Sequence, residues 1–279
     1  EDGIRDYKVT GVQTCALPIY EAAPTAAVRE CHEETGFTVR LGARLNDVSY
    51  LVRGRPKQVS YWVASITNDS GFSANSEVDE RTWVPVTDAA AILTHAADVS
   101  VVTEASKVPS TRPLIILRHA EALSRTDFQG PDFDRPLTPR GHKQTQSVCD
   151  LLGAYGVEHV LTSPYLRCQQ TIDSYAHAAG IKVTVTSALG EAGHQESPAT
   201  TQSLIESLAS TPQAAALCTH RPVIPSIINE LTAAGLLSQQ QAADSQDLSA
   251  FLNPAEALII HVSGSKTLAT WSTERHDAP

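Results

Sequence analysis

The chain has no methionine, no closely spaced pair of cysteines and no long apolar run. Without Met, no start codon lies inside its reading frame, and the sequence is expected to be part of a longer one. Its five cysteines stand singly at 15, 31, 149, 168 and 218. With no CxxC spacing, neither a zinc site nor a disulfide framework is indicated, and a reducing cytoplasm is the expected compartment. The apolar runs fall far short of the roughly 18 residues that a membrane span needs. Basic residues are also in deficit: 21 Lys and Arg against 31 Asp and Glu give a formal net charge of −10. That balance argues against a broad surface for nucleic-acid polymers or anionic membranes, both of which require Lys and Arg to neutralise phosphates. Nucleotides or phosphoesters remain open as substrates, bound locally through metal ions and a few placed cations. At 279 residues the chain has room for one or two domains, each with its own core.

One further absence is local. In residues 21–37, EAAPTAAVRECHEETGF, a helix brings Glu30, Glu33 and Glu34 to i, i+3 and i+4 of one face, with no Lys at i+4 to pair them. A solvated acidic face is the plain alternative, but such a face normally interleaves lysines. Hard oxygen ligands in a cluster suit a divalent cation such as Mg²⁺, which in turn suits phosphate substrates.

The order of Glu21, Arg29, Glu30, Cys31, Glu33, Glu34, Gly36 and Phe37 resembles the Nudix box. The resemblance implies that Glu33 and Glu34 are the main metal ligands, with Glu34 also catalytic, that Glu30 is a further ligand, and that Glu21 and Arg29 are an orienting pair. The implied cofactor is Mg²⁺ or Mn²⁺. The box's leading glycine falls on Cys15, a departure that affects one backbone ligand and the loop turn. Residues 1–19 resemble the translation of a short-read sequencing adapter, so they are expected to be non-native. A signal peptide is the competing reading, but Thr10, Gln13 and Thr14 interrupt the apolar region it requires.

Further along, Pro24 and Gly36 mark the start and stop of the carboxylate helix. VSYWVASI at 59–66 and the stretch 81–86 read as strands, followed by a short helix capped by Thr87 or Asp88. In Nudix proteins an acidic loop residue near here completes the metal site or serves as base, which makes Glu77 and Glu80 candidates beside the reading of a simple polar loop. Lys57 and Tyr61 are candidates to touch substrate phosphate and base, with a surface Lys and a half-buried Tyr as the alternatives. Residues 98–112 show no helical period and are expected to be a linker.

Strand and helix then alternate. LIIL at 114–117 suits a strand buried on both faces of a parallel sheet. Thr138 with Pro139, and Ser163 with Pro164, each signal a helix start, the helices ending near 153–156 and at Gly180. Residues 182–186 and 214–218 read as strands, Pro222 as a helix start, and 257–262 and 267–271 as closing strands. Arg118 and His119 directly follow LIIL, and Thr219, His220 and Arg221 directly follow AAALC, which puts both histidines at carboxyl ends of strands, where open α/β sheets bind ligands. A metal site is the rival, but the neighbouring arginine favours an anion.

These residues resemble the histidine phosphatase superfamily, the phosphoglycerate-mutase-like fold. The carriers are Arg118-His119-Ala120, PLTPRG at 136–141, SPYLRCQQT at 163–171 and THRPVI at 219–224. The resemblance implies that His119 is the nucleophile, that Arg118, Arg167 and His220 form the phosphate pocket, and that Glu191 is the proton donor, with Glu196 nearby. Ala120 replaces a glycine.

The expected architecture is α/β: an N-terminally truncated Nudix α/β/α sandwich with a mixed sheet over 20–97, a linker over 98–112, and a histidine phosphatase α/β/α domain with a mostly parallel sheet over 113–279. The combination resembles two-domain MutT-type hydrolases of actinobacteria. That implies Mg²⁺-dependent hydrolysis of 8-oxo-dGTP, 8-oxo-GTP or diadenosine polyphosphates, with self-association between Nudix and phosphatase halves as a further implied contact. A phosphomonoesterase with an inert Nudix half, and a nucleotide sensor without turnover, are the alternatives.

Overall fold

The computed structural model describes residues 8–10, 21–52, 54–76, 78–250, 252–263 and 274–276. They form two compact units that divide between Ser110 and Thr111. In the first unit, β1 (Lys8–Thr10) precedes α1 (Ala23–Thr35), β2 (Phe37–Arg44), β3 (Val48–Val52), β4 (Arg55–Val59) and β5 (Trp62–Asp69), and helices α2 (Ala89–Ile92) and α3 (Ala96–Lys107) follow. The sheet runs β1-β5-β2, β3 and β4 form a separate hairpin, and every described pair in this unit is antiparallel. Of the segment 1–19, the residues Lys8–Thr10 lie along β5; the remainder falls outside the described residues.

Helix α1 has Pro24 in its first turn and ends at Gly36, whose φ of 74° is left-handed. A Cβ at Gly36 would also run into the Gly71 carbonyl, so glycine is required there twice over. In β2 the period-2 pattern buries Phe37, Val39, Leu41 and Ala43 on one face. Ala43, Leu45, Val59, Tyr61 and Val63 then pack with Val101, Ala105 and Val108.

That core corrects the expected linker: residues 98–107 belong to α3 and carry part of the first unit's core. Val101, Ala105 and Val108 stand at i, i+4 and i+7, a narrow apolar stripe diluted by Ser, Thr and Lys on the outer face. The expected strand 59–66 begins later, at Trp62, because Val59 closes the β3–β4 hairpin. The expected strand 81–86 is irregular. Arg81 is drawn back onto Asp69 and the Thr35 carbonyl, and Trp83, Val84 and Val86 stay exposed. A 3-10 turn (Val86–Asp88) leads into α2, and neither Thr87 nor Asp88 supplies a side-chain cap.

The second unit contains β6 (Arg112–Arg118), α4 (Pro139–Ala154), β7 (His159–Thr162), α5 (Leu166–Ala179), β8 (Val183–Val185), α6 (Glu191–Glu196), α7 (Pro198–Ala209), β9 (Ala215–Thr219), α8 (Ile224–Ala233), α9 (Gln239–Ala250), β10 (Ala257–Val262) and β11 (Glu274–His276). The sheet order is β11-β10-β6-β9-β7-β8. Strands β6, β9, β7 and β8 are parallel, and β10 is antiparallel to both its neighbours. Leu114–Leu117, Ala215–Cys218 and Ala257–Ile260 are wholly buried, as a strand covered on both faces must be.

Thr138 caps α4 as its sequence predicts, its hydroxyl accepting from Gly141 N at 2.9 Å. A Cβ at Gly141 would strike the Glu121 carbonyl, which explains the glycine of PLTPRG. Ser163 does not cap α5, which starts at Leu166 with Tyr165 as its flanking residue. Helix α8 begins two residues beyond Pro222, with Pro225 in its first turn. The expected strand 267–271 lies outside the described residues.

Candidate functional site

Register places the second unit's chemistry. Arg118 of β6 is opposite Thr219 of β9, so the next residues, His119 and His220, leave the carboxyl ends of two neighbouring parallel strands side by side, with ring centroids 5.2 Å apart. His119 N donates to the Thr219 carbonyl at 3.0 Å, which ties the two strand ends together. Strand β7 ends in the same place and delivers Ser163.

Hydrogen bonding fixes the state of His119. Its Nδ1 lies 2.7 Å from the Ala120 carbonyl, which can only accept, so Nδ1 carries the proton. Nε2 therefore keeps its lone pair, and the Arg167 Nε–H donates to it at 3.3 Å. Arg167, wholly buried near the start of α5, gathers the rest of the pocket. It reaches His220 Nδ1 at 3.1 Å, the Asp132 carbonyl at 2.9 Å, Asp132 Oδ2 at 3.2 Å and Glu191 Oε1 at 3.5 Å. Since a guanidinium only donates, His220 Nδ1 is the acceptor and the neutral ring's proton sits on Nε2, donated to Ser163 Oγ at 2.8 Å.

Burial is the main force that keeps both imidazoles uncharged. It lowers the His119 pKa to about 3, helped by Arg167, Arg118 and Arg135 and opposed by the Ala120 carbonyl. It lowers the His220 pKa to about 2, helped by His119 and Arg167. A neutral imidazole that keeps its Nε2 lone pair, beside a guanidinium able to bind phosphoryl oxygens, is what nucleophilic attack on a phosphoryl group needs.

Of the residues expected here, the structure joins His119, Arg167, His220 and Glu191 directly. Glu191 is the first residue of α6, with Oε1 3.4 Å from His220 Nδ1, whereas no contact draws Glu196 into this cluster. Arg118 donates to the Leu252 carbonyl at 2.6 Å, and no hydrogen bond links it to Arg167 or His220. Ala120 is fully buried, and its N–H donates to Thr171 Oγ1.

Sequence reading missed five members. Asp132 sits in a 3-10 turn (Asp132–Asp134) and binds Arg135 Nε at 2.7 Å and Arg125 Nε at 3.3 Å; Arg125 also lies 3.5 Å from Glu191. Ser163 and Tyr165 contact His220, the tyrosine ring edge-on with centroids 4.8 Å apart. Arg135 directly precedes PLTPRG, and Ser163 and Tyr165 lie within SPYLRCQQT, so these three had readable positions.

In the first unit the carboxylates converge on a protein cation. Arg29 binds Glu21 at 2.8 Å, Glu33 at 2.8 Å and Glu30 at 3.4 Å, so Glu21 and Arg29 are in contact. Glu30 is buried, Glu33 exposed and Glu34 half-buried beside Cys31, whose thiol pKa is raised by burial first and by Glu34 last. Among the described residues no group of three or more His, Cys, Asp or Glu side chains is arranged to hold a metal ion. The oxygens have the right chemistry, but as placed they do not fit one. Asn75 Nδ2 donates to the Glu33 carbonyl at 3.2 Å, laying the following loop by the end of α1, where Glu80 is exposed and joins none of the α1 carboxylates; Glu77 lies outside the described residues. Tyr61 is buried and lines a cavity of about 570 Å³ with Tyr50, His95 and Asp98, while Lys57 Nζ lies 5.8 Å from the Tyr50 ring. The four described cysteines are free, and no helix among the described residues is long and apolar enough to cross a membrane.

Comparisons with known proteins agree with this division. The chain is 34% identical over 209 residues to the 8-oxo-(d)GTP phosphatase of Mycolicibacterium smegmatis, a match over 75% of this chain and 65% of that protein. The chain therefore spans just under two thirds of that relative's length. Among solved structures, the protein histidine phosphatase SixA complexed with tungstate aligns with 59% of this chain and 96% of its own at 19% identity and TM-score 0.45. The native mycobacterial glucosyl-3-phosphoglycerate phosphatase aligns with 61% of this chain and 100% of its own at 15% identity and TM-score 0.42. A NUDIX domain generally uses a divalent metal ion. The chain carries a NUDIX domain, matched over residues 19–105, followed by a histidine phosphatase superfamily (branch 1) domain, matched over residues 114–217.

Proposed function

We propose that the chain hydrolyses nucleoside polyphosphates, and that the phosphatase half takes a phosphoryl group onto His119. The observation that carries this reading is the His119 Nε2 lone pair, held by the Ala120 carbonyl on one side of the ring and met by the buried Arg167 on the other. Nε2 forms the N–P bond as the P–O bond to the leaving group breaks, and the electron pair leaves with that oxygen. Glu191, within reach of Arg167 and His220, is placed to supply the leaving oxygen's proton. Arg167 and His220 offset charge on the phosphoryl oxygens. Water then attacks phosphorus, releasing phosphate and restoring the ring.

For the NUDIX half we propose 8-oxo-dGTP and 8-oxo-GTP as substrates, in line with the 8-oxo-(d)GTP phosphatase of Mycolicibacterium smegmatis that it resembles, and diadenosine polyphosphates as a second class. For the divalent ion we propose Mg²⁺ or Mn²⁺, from the hardness of carboxylate oxygen; with Glu21, Glu30 and Glu33 drawn onto Arg29, the carboxylates would have to rearrange to hold it. Lys57 and Tyr61 beside the Tyr50 cavity are the proposed substrate contacts. The four described cysteines, all free, fit a cytoplasmic setting.

A panel of 8-oxo-dGTP, GTP, diadenosine tetraphosphate and a phosphomonoester, read by phosphate and pyrophosphate release with and without Mg²⁺, separates the halves. Joint Glu33→Gln and Glu34→Gln substitution is expected to remove metal-dependent cleavage, and His119→Ala to remove phosphomonoester cleavage. Nucleotide cleavage untouched by the Glu pair but lost with His119→Ala would favour the phosphatase-only reading. No turnover of any of them would refute the hydrolase.

A further inference from the structure

We propose that Asp132 is a specificity-determining residue of the histidine pocket: an internal anion that occupies the guanidinium cluster until a phosphoryl group displaces it. The proposal rests on reading the His119 cluster as a phosphate pocket. Both Asp132 carboxylate oxygens are engaged. Oδ1 accepts from Arg135 Nε at 2.7 Å and Arg125 Nε at 3.3 Å, and Oδ2 accepts from Arg167 Nη2 at 3.2 Å. A two-oxygen anion held by three guanidinium groups is the arrangement those groups offer an oxyanion substrate. It stands one guanidinium away from the nucleophile, because the same Arg167 donates to His119 Nε2.

Arg167 and Arg135 do not depend on Asp132's carboxylate for their positions. Arg167 is also held by His119, by His220 and by the Asp132 main-chain carbonyl, and Arg135 by the Leu123 carbonyl at 2.5 Å. Exposure divides the same way: the Arg167 and Arg135 side chains are 0% and 11% exposed, whereas that of Asp132 is 36% exposed on a short surface turn. Asp132 is the member free to leave. Its negative charge sets a threshold, because an incoming group must bind the guanidinium groups more strongly than a carboxylate does. A dianionic terminal phosphoryl group meets that condition better than the single charge of a phosphodiester, so the pocket is directed to phosphomonoester ends.

Titration of inorganic phosphate into the full chain by calorimetry tests this, with Asp132→Asn and Asp132→Glu as variants and thermal melting as the check on folding. Asp132→Asn is expected to bind phosphate at least about tenfold more tightly than the wild type, the size expected when a charge-assisted contact no longer competes. Its melting temperature should be lower without phosphate and rise further with it. Asp132→Glu keeps the competing charge and should bind no more tightly than the wild type. Unchanged or weaker binding by Asp132→Asn would overturn the proposal and make Asp132 a brace for the arginines, as would an Asp132→Glu variant that matches the tightened affinity. Failure of all three proteins to bind phosphate would remove the pocket reading and the proposal with it.

Discussion

Each half of the chain uses one arginine to gather several carboxylates, and the two clusters differ in what surrounds them. Arg29 sits on a helix surface, 36% exposed, with its partner Glu33 59% exposed. Arg167 is fully buried and touches a neutral histidine as well as acids. Charge interactions in a dry site are far stronger than the same contacts in water, so the Arg167 cluster is pre-organised while the Arg29 cluster stays adjustable. The lesson is that a run of acidic residues in a sequence specifies a set of donors, and burial decides whether their geometry is already set.

The largest expected effect breaks the comparison on the phosphatase side. His119→Ala removes the attacking atom and should lower phosphomonoester turnover at least ~10³-fold, with melting temperature little changed. Next comes Arg167→Ala, for which a kcat loss of roughly 10²–10³-fold is expected in steady-state assays, the scale for removing one donor to developing charge. Acid should then separate the units. The folded pKa values of His119, His220 and His261, about 3, 2 and 3, lie below the ordinary 6.5, so the unfolded chain binds protons that the folded second unit refuses. Stability is whole above about pH 6.5 and falls as pH drops toward 3, by up to ~1.4 kcal/mol per pH unit for each histidine. Denaturant titrations at pH 7.5 and 5.0 with fluorescence and limited proteolysis should show the second unit weakening first; equal loss in both units would contradict the assignment. The smallest effect is Arg29→Ala, expected to cost within about 1 kcal/mol and less in high salt, because its pairs are partly exposed.

Continuous apolar runs made the strand ends legible. LIIL and AAALC each placed a histidine at the carboxyl edge of the sheet, and Thr138-Pro139 signalled its helix by local capping chemistry. Helix α3 was lost because its stripe of Val101, Ala105 and Val108 is thin among polar neighbours. Strand β2 shows in the alternation of Phe37, Val39, Leu41 and Ala43, but Thr38, Arg40, Gly42 and Arg44 between them leave the run without a continuous apolar signal. Ser163 looked like a cap, yet its hydroxyl is spent on His220, a partner 57 residues away that no local pattern reveals. Asp132 and Arg125 were invisible for the same reason: a surface loop, not a periodic element, carries them over the pocket.

The most direct test of the central claim is a rapid acid-free quench during turnover of a phosphomonoester labelled at phosphorus, followed by mass spectrometry of the peptides. Phosphate recovered on the His119 peptide, and absent from it in His119→Ala, is the predicted result. Full turnover by His119→Ala, or label that never appears on His119 while phosphate is released, would contradict it.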